Sequence, residues 1–257
     1  MFAEDEAALL AVAATDAESL ERLVARRVAG EPLEYILGWA EFAGRRLRVA
    51  PGVFVPRRRT ELLLRLALEA AHPRASAAGT GAPRVLEVSG AGAPRVLEMC
   101  CGVAPVATLL ATLLPQASVV ASDLDPDAVA IARANLAPLG GTVLEGDLFA
   151  ALPAGARYDV IVANAPYVPR DELRNMPREA RDFEHPLALD GGADGLALHR
   201  RIAAEAAARL RPGGTVLVET SRRQASADRE IFTSHGWRVR LERDDELDAT
   251  AVHATRP

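Results

Sequence analysis

The apolar run Tyr158 to Ala163 ends in Asn164-Ala165-Pro166-Tyr167, four residues that can offer acceptors, donors and a flat wall to a bound molecule. An Asn carboxamide carries one acceptor oxygen and two N–H donors. Ala165 precedes a proline, so its backbone is held extended and its carbonyl can point into a cleft. Tyr167 adds an aromatic face with a polar tip. Taken alone, the tetrapeptide reads better as an ordinary turn, because Asn and Pro are common turn formers. Its place at a strand end, beside a candidate ribose ligand, raises the functional reading.

That ligand is Asp123, which ends another apolar run about 20 residues beyond Gly102, the spacing at which an acid can accept hydrogen bonds from ribose hydroxyls. Asp125-Pro126 opens the next helix and supplies its cap, which leaves Asp123 free. Upstream lies Glu98-Met99-Cys100-Cys101-Gly102-Val103-Ala104-Pro105, mostly small residues between a strand and a helix, where the backbone can approach a ligand closely. It is not G-x-G-x-x-G, so a dinucleotide fingerprint is absent, and a plain strand-to-helix turn explains it equally well. Gly146-Asp147-Leu148 follows a third strand candidate; its carboxylate can reach an adenine amino group and Leu148 can cover the ring.

Other candidates read more simply. Cys100 and Cys101 are adjacent, and a disulfide between neighbours is strained, so they are small residues lining a loop. Asp171, Glu172, Glu179, Asp182 and Glu184 lack metal-ligand spacing and mix with Arg, as in a solvated lid; no metal site is expected. Arg57-Arg58-Arg59 reads equally as a clamp for a carboxylate or phosphate and as a solvated face. The five histidines are scattered and receive no role.

The elements that must position these residues alternate. Strand candidates are 96–99, 118–122, 142–145, 159–163, 215–219, 237–241 and 250–254, with helical patterns at 105–114, 126–137, 195–210 and 223–234. Strand, helix, strand in series implies an α/β fold with an open, doubly wound, mostly parallel seven-stranded sheet. The last two strands follow each other without a helix, which predicts an antiparallel hairpin at the sheet edge. Residues 3–30 read as helical, with Thr15-Asp16-Ala17-Glu18 as a capping box, Leu20, Leu23, Val24 and Val28 on one face, and Gly30-Glu31-Pro32 as the stop. Residues 42–55 read as a hairpin around Gly44 and Pro51-Gly52, and a helix starts near Thr60.

An Ala/Gly/Pro/Ser-rich linker spans 72–84, and Gly81-Ala82-Pro83-Arg84-Val85-Leu86-Glu87 recurs as Gly92-Ala93-Pro94-Arg95-Val96-Leu97-Glu98. One short repeat is a local duplication rather than a repeat fold. The second copy is the working strand, because an apolar helical run follows it directly. The division is then 1–71, a small helical and hairpin region; 72–92, linker; and 93–257, the sheet domain.

The 257 residues are 49% hydrophobic and carry 35 acidic against 30 basic side chains, all of them Arg. Lysine chemistry is excluded, and a net charge of −5 argues against a surface that grips nucleic acid. No apolar run reaches the roughly 18 residues of a membrane span. Early acids at Glu4, Asp5 and Glu6 are wrong for a secretory signal, so a cytoplasmic location is expected.

The sequence resembles the class I methyltransferases that use S-adenosylmethionine, and more narrowly the family that methylates the side-chain amide nitrogen of glutamine in bacterial peptide-chain release factors. Glu31 to Gly38 (EPLEYILG) and Phe54 to Glu61 (FVPRRRTE) resemble the segment before that family's catalytic domain. Asn164 to Tyr167 resembles its Asn-Pro-Pro-Tyr signature, and Leu187 to Leu196 (LALDGGADGL) a more family-specific stretch. The resemblance implies a Rossmann-like fold and a protein substrate with an exposed glutamine, docked through the N-terminal region. It implies that Glu98 and the loop Cys100, Cys101, Gly102, Val103 and Ala104 wrap the methionine part of the cofactor. Asp123 then holds the ribose, and Asp147 and Leu148 meet adenine. Asn164 sits between cofactor and substrate, and its carbonyl and that of Ala165 accept the two N–H groups of the substrate amide.

Four departures stand out. The loop reads Cys-Cys-Gly-Val-Ala where the family has Gly-Thr-Gly-Ser-Gly, which places Ala104 at a glycine free to take positive φ. Ala165 replaces the first proline of the signature, and Arg58 and Arg59 replace Pro and Glu of a Pro-Arg-Pro-Glu-Thr segment. The N-terminal helical region is shorter than the family's docking domain. Three rivals remain open on sequence alone: a small-molecule or peptide methyltransferase on this scaffold, a DNA adenine methyltransferase acting on a flipped base, and a non-catalytic protein on a decayed methyltransferase fold.

Overall fold

A computed structural model describes residues 3–71 and 92–256. The 72–84 linker and the first copy of the duplicated segment fall outside the described residues. The second copy supplies a central strand, β3 (Arg95–Met99).

Seven strands form one sheet in the order β5-β4-β3-β6-β7-β9-β8. The parallel strands are β3, β4 (Ser118–Asp123), β5 (Thr142–Glu145), β6 (Tyr158–Ala163) and β7 (Leu210–Thr220). β8 (Arg238–Asp244) and β9 (Ala249–Thr255) pair antiparallel, as the missing helix between them predicts. The hairpin folds back so that β9 lies inside against β7 and β8 is the edge.

The central strands β3, β6 and β7 are buried on both faces, and successive side chains take opposite sides. Val96, Val160, Val162 and Leu217 point to a core shared with α4 (Glu61–Ala71) and α5 (Pro105–Leu113). Leu97, Met99, Ile161 and Val218 point to a second core with Ile202 of α8 (Ala197–Glu205), Phe232 of α9 (Ala225–Ser234) and Trp237. The remaining crossover helix, α6 (Pro126–Leu136), is capped by Asp125 as expected, its carboxylate accepting from Asp127 N–H at 2.9 Å, and a short helix, α7 (Arg178–Phe183), lies between β6 and α8. The helix expected over 195–210 begins later and ends in a 3₁₀ turn at Ala206–Arg209. Gly195 precedes it at φ 78°, and a Cβ there would collide with the Tyr167 carbonyl oxygen and the Gln224 amide.

The N-terminal pattern divides into α1 (Ala3–Ala13) and α2 (Ala17–Val28), followed by α3 (Leu33–Leu37). The capping box sits one residue later than expected. Asp16, not Thr15, is the N-cap; it accepts from Ser19 N–H at 2.7 Å while Ser19 Oγ accepts from Asp16 N–H. Ser19 therefore does what the sequence assigns to Glu18. Leu20 and Leu23 pack on Leu10, Leu33 and Ile36, whereas Val28 on the same stripe is 78% exposed.

The hairpin is β1 (Trp39–Phe42) and β2 (Arg45–Arg48), closed by Ala43 and Gly44, both at positive φ as a two-residue turn requires. It begins before Phe42, and the chain past β2 crosses to the sheet without a third strand. Phe42 and Leu47 enter the same core as α4 and α5. The hairpin thus has no core of its own. Phe42→Ala should cost about 3–5 kcal/mol and shift a single urea transition; a separate early transition would show that the hairpin folds independently.

Candidate active site

A cavity of about 550 Å³ opens at the carboxyl ends of β3 to β6, where β3 feeds neighbours on both sides and the strand order reverses. It brings together Glu98, Cys100, Cys101, Gly102 and Val103 with Asp123, Asp147, Leu148 and the tetrapeptide Asn164 to Tyr167. Ala104 does not line it. That residue is fully buried as the N-cap of α5, at φ 60°.

The loop after β3 turns tightly because left-handed residues alternate along it: Cys100 at φ 51°, Gly102 at 53° and Ala104 at 60°. The conformation costs a non-glycine residue about 1–2 kcal/mol, and Ala104 N–H offsets part of it by donating to Cys101 O at 2.7 Å. Val103, the β-branched departure, is buried with Tyr35, Val53, Val55 and Ala128. It fastens the N-terminal segment to the loop. Burial and the facing Asp123 raise the Cys100 thiol, so neither cysteine is a ready thiolate.

Glu98, next to last in β3, is buried and accepts N–H bonds from Ala107 at 2.6 Å and Val106 at 3.3 Å, in the first turn of α5. Burial pushes its pKa up to about 8 despite those donors. Asp123 ends β4, but it is not free. One oxygen accepts from Gly102 N–H at 2.7 Å and the other from Asp125 N–H at 3.0 Å. Its pKa is also raised by burial. Each oxygen keeps a further lone pair, and a carboxylate can accept up to four hydrogen bonds. Asp147 is gripped in fork geometry by Arg201 of α8, both contacts at 2.9 Å. Leu148 follows at φ 46° and is buried against the second core.

Asn164 Nδ2 donates to Thr60 Oγ1 at 3.2 Å, and that hydroxyl donates to Glu219 Oε2 at 2.7 Å. Tyr167 donates its phenol proton to the other Glu219 oxygen at 3.3 Å. Thr60 and Glu219 are both buried, and burial raises the Glu219 pKa. The Tyr167 backbone is fixed from behind: Gln224 Nε2 donates to its carbonyl at 2.9 Å and to that of Asp194 at 3.1 Å. The 187–196 stretch is therefore a buttress for the tetrapeptide. Gly191 N–H and Val168 O, at 2.9 Å, tie the two segments further.

The acidic segment after the tetrapeptide does border the cavity, through Met176, Pro177, Glu179 and Ala180. Glu184 departs from the solvated reading: it is buried, accepts from Val55 N–H at 3.2 Å and pairs with Arg57 at 2.5 Å. Arg57, with its guanidinium 5.0 Å over the Phe54 ring, thus clamps a carboxylate of its own chain. Arg58 is exposed and does not line the cavity, whereas Arg59 does.

Thr60, Glu219, Phe54 and Arg201 were not legible as site residues. Glu219 carried one signal, an acid closing an apolar strand in the manner of Asp123. His199, left without a role, is fully buried with Nδ1 2.7 Å from Asp228, whose other oxygen accepts from Thr220.

A methyltransferase domain family matches residues 96–186. The chain is 41% identical over 219 residues to a release factor glutamine methyltransferase of Bordetella pertussis, covering 84% of this chain and 74% of that protein. It is 39% identical over 217 residues to a protein of the same name from Geobacter sulfurreducens, covering 84% and 69%. In fold it is similar to a ribosomal protein L11 methylase from Lactobacillus delbrueckii subsp. bulgaricus, with TM-score 0.53, 16% identity and coverage of 82% and 84%. With relatives this similar over most of both chains, and with a methyltransferase-type sheet around the cavity, the chain belongs to the release factor glutamine methyltransferase family.

Proposed function

We propose that the chain transfers a methyl group from S-adenosylmethionine to the side-chain amide nitrogen of a glutamine in a protein, and that the protein is a release factor. The observation that carries this reading is the Asn164 carboxamide, whose nitrogen is engaged by Thr60 while its oxygen is left for the cavity. In this reading residues 1–71 dock the protein substrate, 93–257 form the transferase domain with 72–92 between them, and the enzyme works in the cytoplasm. No helix among the described residues is long and apolar enough to cross a membrane.

The donor set fits the cofactor. Glu98 and Asp123 face one cavity, both with raised pKa because burial disfavours their charge. A cationic ligand relieves that cost. Asp123 would hold the ribose hydroxyls, Glu98 and the 100–103 loop the methionine end, and Leu148 the adenine face. Asp147 would meet the adenine amino group with the lone pairs that Arg201 leaves free. When bound, the cofactor supplies an electrophilic methyl carbon on a sulfonium.

The chain's own task is orientation. An amide nitrogen is a weak nucleophile because its lone pair is shared with the carbonyl. Asn164 Oδ1 and the Ala165 carbonyl would take one N–H each and fix the amide plane, so that the lone pair is presented for methylation and one of the two N–H protons is given up to solvent as the N–C bond forms. Tyr167 walls the amide, and no Cys or His nucleophile is required. The burial of Ala165 helps exclude water, which strengthens both hydrogen bonds.

Two measurements test this. In calorimetry, Asp123→Ala should lose the micromolar binding of S-adenosylmethionine. Asn164→Ala should keep it within about tenfold, or roughly 1.4 kcal/mol, and cut methylation of purified release factor to a small residual rate. Wild-type turnover by Asn164→Ala sinks the amide clamp. Glu98 supplies the second test. With a pKa of about 8 it holds its proton at pH 7; a bound cation favours the carboxylate, so binding should release up to about one proton. Observed binding enthalpy should then vary with buffer ionisation enthalpy, and Glu98→Gln should flatten that dependence. A flat wild-type plot would place Glu98 outside the cation's field.

A further inference from the structure

The Asn164 carboxamide can face the cavity in two ways that differ only by exchanging its oxygen and nitrogen, and only one suits an amide substrate. With the oxygen inward it accepts a substrate N–H; with the nitrogen inward it offers a donor where an acceptor is needed. What selects between them lies outside the tetrapeptide.

We propose that Glu219, acting through Thr60, is a positioning residue that locks the Asn164 carboxamide oxygen toward the substrate. Thr60 has one hydroxyl proton, and the 2.7 Å contact gives it to Glu219. As a carboxylate with Thr60 on one oxygen and Tyr167 on the other, Glu219 accepts from both, which sets this direction. The Thr60 oxygen is left with lone pairs alone on its Asn164 side, 3.2 Å away, and only the NH₂ end can meet them. A flipped carboxamide would set oxygen against oxygen and lose the bond. The second Glu219 oxygen fixes Tyr167, so one buried acid sets two members of the tetrapeptide. The groups facing it are Thr60, Tyr167, the Arg59 guanidinium and, more distantly, His199. The FVPRRRTE segment thereby gains a part in the chemistry, since its Thr60 stands between strand end and catalytic amide.

The inference rests on the reading that Asn164 holds the substrate amide, and its test separates the two. Thr60→Val keeps the buried shape and removes the hydroxyl. Its kcat on release factor should fall roughly 10- to 100-fold, the loss of one buried hydrogen bond, while calorimetric affinity for S-adenosylmethionine stays within about twofold. Thr60→Ser should recover most of the loss. In an Asn164→Ala background, Thr60→Val should add nothing to the residual rate, because its effect passes through that carboxamide. An additive loss in both backgrounds, or a wild-type rate for Thr60→Val, overturns the relay. A wild type that methylates no glutamine overturns the functional reading instead. The relay is then decided by the ¹⁵N side-chain resonance of Asn164, assigned by its loss in Asn164→Ala. Its NH₂ protons should exchange with water at least about tenfold more slowly in wild type than in Thr60→Val; equal rates refute the lock.

Discussion

Three carboxyl groups, Glu98, Asp123 and Glu219, stand at or next to the ends of three strands, Glu98 and Glu219 buried and Asp123 half-buried, and among the described residues none forms an ion pair with Arg. Everything around the cavity follows from how such acids are tolerated. A buried carboxylate without a cation must be met by hydrogen-bond donors. Glu98 takes the first turn of α5, Asp123 takes the loop before it and the start of α6, and Glu219 takes Thr60 and Tyr167. Each acid therefore stitches a strand end to a segment that has no ladder bonds of its own. Burial still leaves all three pKa values raised, so the stitching is incomplete compensation. The proposed cationic cofactor would supply beside Glu98 and Asp123 what the backbone donors do not.

The same constraint accounts for the strained loop. To aim Gly102 N–H at Asp123 within five residues, the chain takes left-handed turns at Cys100, Gly102 and Ala104. Glycine adopts such turns cheaply, whereas Cys100 and Ala104 do not. Packing holds them in place: Cys101 and Ala104 belong to the large core under α4 and α5, and Val103 belongs to the cluster formed with Val53 and Val55. The departure from a glycine-rich loop is thus matched by apolar contacts, and the loop gains rigidity from the N-terminal segment rather than from its own backbone.

How much of this was legible follows from sequence distance. The strands could be read because parallel strands buried on both faces are nearly continuous apolar runs. Asp123, Asn164 and the 100–103 loop could be read because each sits where such a run stops. Glu219 and Thr60 are 159 positions apart, and nothing local to either tells that they touch. Glu184 misleads for a similar reason. Its neighbours Asp182 and His185 are exposed, and it is Arg57, 127 positions upstream, together with Val55 N–H, that makes its burial tolerable. The capping box slipped by one residue because Ser19 served as the return partner, a short-range choice that composition does not resolve. The backbone pattern was local information, and the polar network of the site was not.

The packing also divides the first 71 residues unequally. The hairpin and α4 are built into a core of the sheet, the 49–60 segment packs on Val103 and Ala128 beside the loop after β3, and together they supply Phe54, Arg57, Arg59 and Thr60 to the cavity. α1 and α2 are attached through a small cluster at Leu10, Leu33 and Ile36 and through Arg27, which bridges Glu6 at 2.7 Å and Glu179 at 2.6 Å. Partly exposed pairs of this kind contribute about 0–1 kcal/mol each, little beside the burial of a strand. Glu179 nevertheless lines the cavity, so the outer helices touch its rim through one guanidinium. The segment that meets the Asn164 carboxamide is thus anchored far more firmly than α1 and α2. Under the docking role proposed for them, the outer helices can adjust to a protein surface while Asn164 keeps its orientation.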